Sequence, residues 1–458
     1  METYAYQRDI PIEHAYDVVI AGGGPSGVAA AIAAARLGAK TLLREATGAL
    51  GGMSTNGLVA NWYCLSDGEK IITNGLFWEI VRALRDAGGL RKGLDPDTLA
   101  PTLGCGFGYS AEVLKRVLDK LVLTAGVDLL LCTRMIDVDV DKKGKKIAGV
   151  VIQHVEGIRY VPAKAFIDAT GDALLADACG AKYREAGRDT PNIMPPTLCA
   201  TNAGIEWDRM IPGEQQRQIE RGVDAGEFSQ PDKHVPGLFR SQQTYGIQNA
   251  GHLFRMNAVK IKSLTAGYVR GRELAWEYAA FFKKHLPGCE NLEQVGTAAL
   301  MGVRESRNID GEYELNYADF KARRKFDDQI GVYSKGVDIH VYDLTPEEYK
   351  RYYDSYVKRD RLKVGESYGL PYGILVPRGW TNLWATGRCV SADVEVHGAI
   401  RDQPACYMLG EAAGYAAVQS IKTGQPACDL DTAELVRTLR ARGGYLPQAS
   451  EPKAITRS

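Results

Sequence analysis

The sequence has no surplus of charge, since its 56 basic side chains are matched by 56 acidic ones over 458 residues. Without a basic excess it lacks the electrostatic footprint of a nucleic-acid binder or of a protein held on an anionic membrane. A small-molecule partner is therefore expected. No apolar run approaches the ~18 residues that a bilayer span requires. Arg8, Asp9, Glu13 and His14 precede the first apolar stretch, so neither a secretory signal nor a transit peptide is read, and a cytoplasmic location is expected. The nine cysteines, at 64, 105, 132, 179, 199, 289, 389, 406 and 428, contain no C-x-x-C pair. That excludes the usual zinc and thiol-redox spacings, and leaves reduced, mostly packed thiols with no resident metal. No internal repeat is present.

What the chain does have is length and order. Its size suggests about two domains on the usual prior of ~100–200 residues each. Asp17 to Ala21 (DVVIA) is an apolar β-branched run that meets glycines at once. The alanine-rich stretch Pro25 to Leu37 follows with a helical bias, and Lys40 to Leu43 closes a β-α-β unit ending in Glu45. Gly48 to Gly57 reads as a loop. Val113, Leu114, Val117, Leu118 and Leu121 recur at helical spacing between Ser110 and Leu123, before a buried strand from Val127 to Leu131. Met135 to Val140, a turn at Lys142 to Gly144, Ile147 to Val155, Arg159 to Val161 and Ala165 to Ala169 read as a strand-rich stretch. The lysines of that turn are read as a solvated hairpin tip. From about Pro191 to Lys363 longer polar and aromatic helices are expected, such as Gly267 to His285. A strand-loop-helix pattern returns from Gly373 to Ser420.

Gly22, Gly24 and Gly27 form G-x-G-x-x-G between the first strand and the first helix, with Glu45 at the end of the second strand. The first glycine permits the tight turn, the second lets backbone approach a pyrophosphate, and the third lets helix and strand pack closely. Pro25 and Ser26 open a helix whose free N–H groups and dipole favour a phosphate. Glu45 is placed to bind the adenosine ribose. No second such motif lies on a strand-to-helix turn, so a separate NAD(P)H domain is not expected.

Beyond this motif stand Gly51-Gly52-Met53, Asp168-Ala169-Thr170-Gly171-Asp172, Gly302-Val303-Arg304-Glu305-Ser306-Arg307, Asp338-Ile339-His340 and Gly387-Arg388-Cys389. Together, from about Tyr16 to Gln419, they resemble the FAD-dependent oxidoreductase family distantly related to fumarate reductase and succinate dehydrogenase flavoproteins. The resemblance implies an α/β fold. A Rossmann-type FAD-binding domain of the glutathione-reductase-like superfamily is expected from 1–190 and 364–445, with a substrate or cap domain inserted at 191–363 and a flexible tail at 446–458. It also implies non-covalent FAD, with Gly52, Met53, Arg134, Gly171, Asp172, Gly387 and Arg401 joining the cofactor set. A helix from Pro404 to Ser420, with Asp402 as its possible cap, would point its N-terminus at the flavin's pyrimidine edge, where partial positive charge stabilises the reduced ring.

By the same resemblance, the loop Glu395 to Arg401 would run beside the reactive ring; the family pattern has an aliphatic residue where this chain has His397, and that departure makes His397 a candidate general base against a structural reading. Arg304 offers a fork for a carboxylate or carbonyl, the alternative being an internal ion pair with Glu305 or another acid; Arg307 shares that motif. His340 is weighed evenly between substrate contact and structure, whereas Tyr109 and Cys105 are read mainly as packing residues. The preferred function is oxidation of a small organic substrate by hydride transfer to FAD N5, with an unidentified electron acceptor. The runner-up is reduction of an activated C=C bond, and a flavin-binding module without turnover is the rival of another class. An aromatic monooxygenase or halogenase ranks below these, for want of a tryptophan-rich signature and an NAD(P)H site.

Overall fold

The computed structural model describes residues 2–141 and 143–447, the side chain of Tyr356 excepted. Lys142, in the expected hairpin tip, and the part of the expected tail beyond 447 lie outside the described residues. Leu446, counted in that tail, is buried instead.

The chain opens with strand β1 (Tyr16–Ala21), helix α1 (Pro25–Arg36) and strand β2 (Thr41–Arg44). β1 is buried at five of its six positions, so its near-continuous apolar run reflects a strand covered on both faces. Helix α2 (Ala111–Thr124) begins where Ser110 accepts the N–H of Val113, an N-cap the sequence supplies. Strands β3 (Asp128–Leu130), β4 (Arg134–Asp141), β5 (Lys146–His154) and β6 (Gly157–Asp168) follow. They form a mixed seven-stranded sheet in the order β3-β2-β1-β6-β5-β4, with β11 (Leu383–Ala385) also paired to β6.

Two expectations change here. β3 was expected to be buried, but it is the sheet's edge and alternates exposed and half-buried positions. The two short strands expected at Arg159 and Ala165 are one strand of 12 residues. Its first half pairs antiparallel with β5, Gly149 opposite Pro162, and its second half lies parallel to β1, Ala21 opposite Asp168. β6 thereby carries Asp168 to the same end of the sheet as Gly22 and Glu45.

The middle of the chain holds an antiparallel sheet, not only helices. β7 (Ala200–Ala203), β8 (Gly237–Arg240), β9 (Gly246–Asn249) and β10 (Glu293–Thr297) run in the order β8-β9-β7-β10. These strands have four or five residues, too short for period-two alternation to stand out from loops. The 25-residue helix α3 (Ile261–His285) packs on them, with buried Gln248 donating to the Ala275 carbonyl at 2.9 Å. Phe228, Tyr278, Phe281 and Phe282 make a separate apolar core there.

The chain returns to the first sheet through β11, then helices α4 (Val394–Ile400) and α5 (Gln403–Thr423). The expected loop at Glu395 is thus helical, begun by the Asp393 carboxylate accepting the Val396 N–H at 2.8 Å. α5 is buried along most of its length against α1. No described helix is long and apolar enough to cross a membrane.

Candidate functional site

A cavity of about 770 Å³ opens where β1, β2 and β6 end, and residues of the central segment complete its wall. Gly22, Gly24, Pro25, Ser26 and Glu45 all line it. Each glycine of the motif has a distinct physical reason. Gly22 has φ +103°, and a Cβ there would sit 2.6 Å from the Ala169 carbonyl oxygen. At Gly27 a Cβ would meet the Gly22 oxygen at 1.8 Å, so this glycine serves helix-strand packing and does not itself line the cavity. Gly24 is different: its φ of −70° suits any residue, and a Cβ would meet nothing within 4 Å. Nothing inside the protein requires glycine at 24, while a side chain there would project into open space at the uncapped start of α1.

Glu45 accepts the Gly23 N–H at 2.6 Å and the Thr47 N–H and hydroxyl at 2.8 Å each. Its neighbour Arg44 was missed by sequence reading. This guanidinium is buried, lines the cavity, and has no hydrogen-bond partner for Nε or Nη2 among the described residues. Burial lowers its pKa to about 10. Stranded N–H groups are costly in a protein interior, and a ligand's oxygens or nitrogens would satisfy them. The signal available was position, since side chains at the carboxyl ends of strands face the ligand crevice in open α/β sheets. The cleared space at Gly24, the free N-terminus of α1 and the unpaired Arg44 fit a dinucleotide cofactor.

Gly52, Met53, Gly171, Asp172, Gly387 and Arg401 also reach the cavity wall, whereas Arg134 is exposed on β4 and does not. Asp168 shapes the turn before Gly171: its carboxylate accepts from Thr170, Leu175 and Ala176. Asp172 is held by Arg388, which donates to it and to the Ser306 hydroxyl at 2.6 Å each. Asp402 makes no side-chain cap on α5; its carboxylate pairs with Lys335 at 2.6 Å. The start of α5 therefore stays uncapped, and Gln403 and Pro404 line the cavity.

The three residues singled out for catalysis are not brought together. Arg304 and His340 line the cavity; His397 does not. His397 is fully buried within α4, its Nε2 2.8 Å from the Arg388 carbonyl oxygen, and burial lowers its pKa to about 3. A loop would have left this side chain free to reach a ring, but the Asp393 cap makes the segment helical and turns it into the core. Arg304 is buried and donates to the Pro195 carbonyl at 2.5 Å, the Thr197 hydroxyl at 3.0 Å and Asn249 Oδ1 at 3.3 Å. The expected alternative, an ion pair with Glu305 or another acid, is absent among the described residues; Glu305 accepts the Met194 N–H. The structural ion pairs belong to Arg307, with Asp177 at 2.9 Å and Glu185 at 3.3 Å. Tyr109 is buried and bonded to Gln403, and Cys105 is buried, both off the cavity.

His340 stands in a chain of buried polar groups that sequence reading did not connect. Its Nδ1 is 2.8 Å from His252 Nε2, and His252 Nδ1 is 2.7 Å from Asp232 Oδ2. Asp232 also accepts from the His234 N–H and the Tyr349 hydroxyl. Burial, with Arg304 nearby, pushes the His340 pKa well below its ordinary value, and burial lowers His234 to about 3. Burial lowers His252 as well, so all three rings are shifted toward the neutral form. His234 and His252 are isolated in sequence, with no spacing that links them to His340.

A family model described as FAD dependent oxidoreductase matches residues 17–439. The thiamine thiazole synthase of Methanococcus vannielii is 30% identical over 254 residues, 53% of this chain and 80% of its own. A dihydrolipoyl dehydrogenase of Trypanosoma brucei brucei is 55% identical over 51 residues, 11% of each chain. Among solved structures, a geranylgeranyl bacteriochlorophyll reductase-like protein from Thermoplasma acidophilum is 16% identical with a TM-score of 0.46, covering 94% of this chain and 84% of its own.

Proposed function

Because the chain belongs to the FAD dependent oxidoreductase family, and is thus an FAD-dependent enzyme, we propose that it oxidises a small organic substrate within the cavity described above. The observation that carries this reading is that one cavity is lined both by the dinucleotide cradle and by Arg304 and His340. FAD bound there would supply the two-electron acceptor, with N5 as the position for hydride. We assign the adenosine side to Glu45 and Arg44, and the pyrophosphate to Gly24, Pro25 and Ser26 at the start of α1. Gly52, Met53, Gly171, Asp172, Gly387 and Arg401 are assigned to the rest of the cofactor's envelope.

Arg304 is the proposed substrate anchor. Its guanidinium is fixed by neutral oxygens and compensated by no carboxylate ion pair among the described residues. An incoming carboxylate would find a charge-assisted partner already oriented. The hydroxyl or amine proton that the substrate loses with the hydride would pass to the His340 imidazole on the cavity wall. The unit formed by 1–190 and 364–445 is proposed as the FAD-binding domain, of glutathione-reductase-like type, and 191–363 as the cap that closes the chamber. The electron acceptor is a separate molecule of unassigned class.

The test is anaerobic addition of a panel of small hydroxy, amino and saturated acids to the yellow protein, followed by absorbance. Bleaching by one member identifies the substrate. A panel that leaves the colour unchanged, while an activated alkene reoxidises the chemically reduced protein, would reverse the direction of the reaction.

A further inference from the structure

Three of the seven histidines, His234, His252 and His340, come from separate segments and converge beside the cavity. One ring nitrogen from each lies within 4.8 Å of the others. The ring centroids of His234 and His340 are 4.8 Å apart and those of His252 and His340 are 4.9 Å apart. His234 and His340 line the cavity, while His252 stands behind them. We propose that this cluster is a binding site for a divalent transition-metal ion, held by His234 Nδ1, His252 Nε2 and His340 Nδ1.

The hydrogen bonds leave the Nε2 lone pair of His252 facing the cluster; His340 Nδ1–H donates to it at 2.8 Å, and that proton moves to Nε2, 3.7 Å from Asp338, when a cation takes its place. His252 Nδ1 faces the buried carboxylate of Asp232 at 2.7 Å, which fixes the proton there and leaves Nε2 as a donor atom for a metal. A carboxylate behind a ligating imidazole is the usual outer-shell partner of a metal-bound histidine. The second observation is His234 Nδ1, which is buried and has no hydrogen-bond partner among the described residues. A shared cation would satisfy that atom and replace the His252–His340 contact. Metals bind imidazole through its unprotonated nitrogen.

Imidazole donors without thiolate suit zinc, iron(II), cobalt(II) or nickel(II) over magnesium or calcium, which prefer oxygen. Three protein ligands leave at least one position open, the pattern of a catalytic and not a closed structural site. His234, His340 and Arg304 line the same cavity, from which a substrate would reach that position. Asp338 is paired with Lys335 at 2.8 Å and Arg401 at 3.3 Å, and Asp232 is the carboxylate that meets the cluster through His252. A hydroxyl or carbonyl oxygen of an anionic substrate could occupy the open position while its carboxylate meets Arg304. This last step rests on the substrate-oxidation reading above; metal binding does not.

The experiment uses the flavin-loaded full chain, stripped with a chelator and titrated with Zn²⁺ or Co²⁺. Metal analysis after gel filtration should give about one ion per chain, and Co²⁺ should show visible bands of a nitrogen-ligated site. His234→Ala and His340→Ala should each abolish stoichiometric binding at micromolar metal, and Asp232→Asn should weaken it ~10–100-fold, the range for an outer-shell partner. Flavin absorbance reports folding in every sample. If a buried variant misfolds, the half-buried His234→Ala decides. Retained stoichiometry in that folded variant, or no stoichiometric uptake by the parent, overturns the site. Flavin bleaching by substrate is read separately, so failure of metal binding and failure of the substrate-oxidation reading stay distinct.

Discussion

At the scale of single residues, what distinguishes Arg304 is the kind of oxygen that holds it. A carbonyl, a hydroxyl and an amide fix the guanidinium without neutralising it. Lysine would keep the charge but lose the planar fork. Arg304→Lys should therefore stay yellow, lose about 1–3 kcal/mol of stability where a buried acceptor goes unpaired, and show a raised KM for substrate. Loss of flavin would instead mark Arg304 as a structural residue.

His397 leads to a different prediction, about stability. In the fold it stays unprotonated down to about pH 3, held so by burial. In the unfolded chain it protonates near its ordinary value of about 6.5. Between these values the unfolded state binds the extra proton, so stability is intact above pH 6.5 and falls as pH drops toward 3, by up to about 1.4 kcal/mol per unit. His397→Gln, which can still donate to the Arg388 carbonyl, should flatten urea-unfolding stability between pH 4 and 6.5 and leave flavin reduction near the parent rate. A rate loss of ~10²-fold or more would restore His397 as a base.

The same scale shows what sequence could reveal. Gly22, Gly24, Gly27 and Glu45 were legible because their motif has a fixed spacing that maps directly onto a turn. Arg44 was not, because an arginine beside a motif acid gives no sign of whether its nitrogens will find partners. His234, His252 and Asp232 were invisible as a group, since only folding brings together residues that lie far apart in the chain.

At the scale of elements, the cradle depends on how closely α5 lies against α1. A Cβ at Gly414 would meet the Ala30 carbonyl oxygen at 2.4 Å and the Ala33 Cβ at 2.9 Å; one at Gly410 would meet the Ser26 oxygen at 2.0 Å. Small residues on this helix were legible in the sequence, but that two glycines make the contact was not, because periodicity gives a face and not a distance. The helical α4 was missed for a related reason: Asp393 is an N-cap signal, but glycine at 398 obscures a helix of seven residues. Gly414→Ala should push α5 off α1 and cost about 1–3 kcal/mol as an overpacked contact, seen as a lower urea midpoint. Since α1 carries Pro25 and Ser26, flavin should also dissociate faster. An unchanged off-rate with lowered stability would show that the cradle is independent of this packing.

At the scale of the whole molecule, both the first sheet's strand ends and the central segment contribute to one cavity wall. A ligand that binds only the folded form stabilises it by mass action, about 4 kcal/mol when present at 1,000 times its dissociation constant. Stripping FAD should lower the thermal midpoint, and adding it back should raise the midpoint progressively with concentration. Gly24→Val separates this linkage from folding itself. Its backbone angles are ordinary and no atom lies within 4 Å of the new Cβ, so the apoprotein should lose no more than about 1 kcal/mol, the cost of a poor N-cap. What the substitution fills is the space beside the free N-terminus of α1. The variant should therefore unfold near the midpoint of the stripped parent and show no rise on adding FAD. A variant that unfolds well below the stripped parent would mean that glycine at 24 serves the fold, and a variant that gains the parent's full rise would place the pyrophosphate elsewhere.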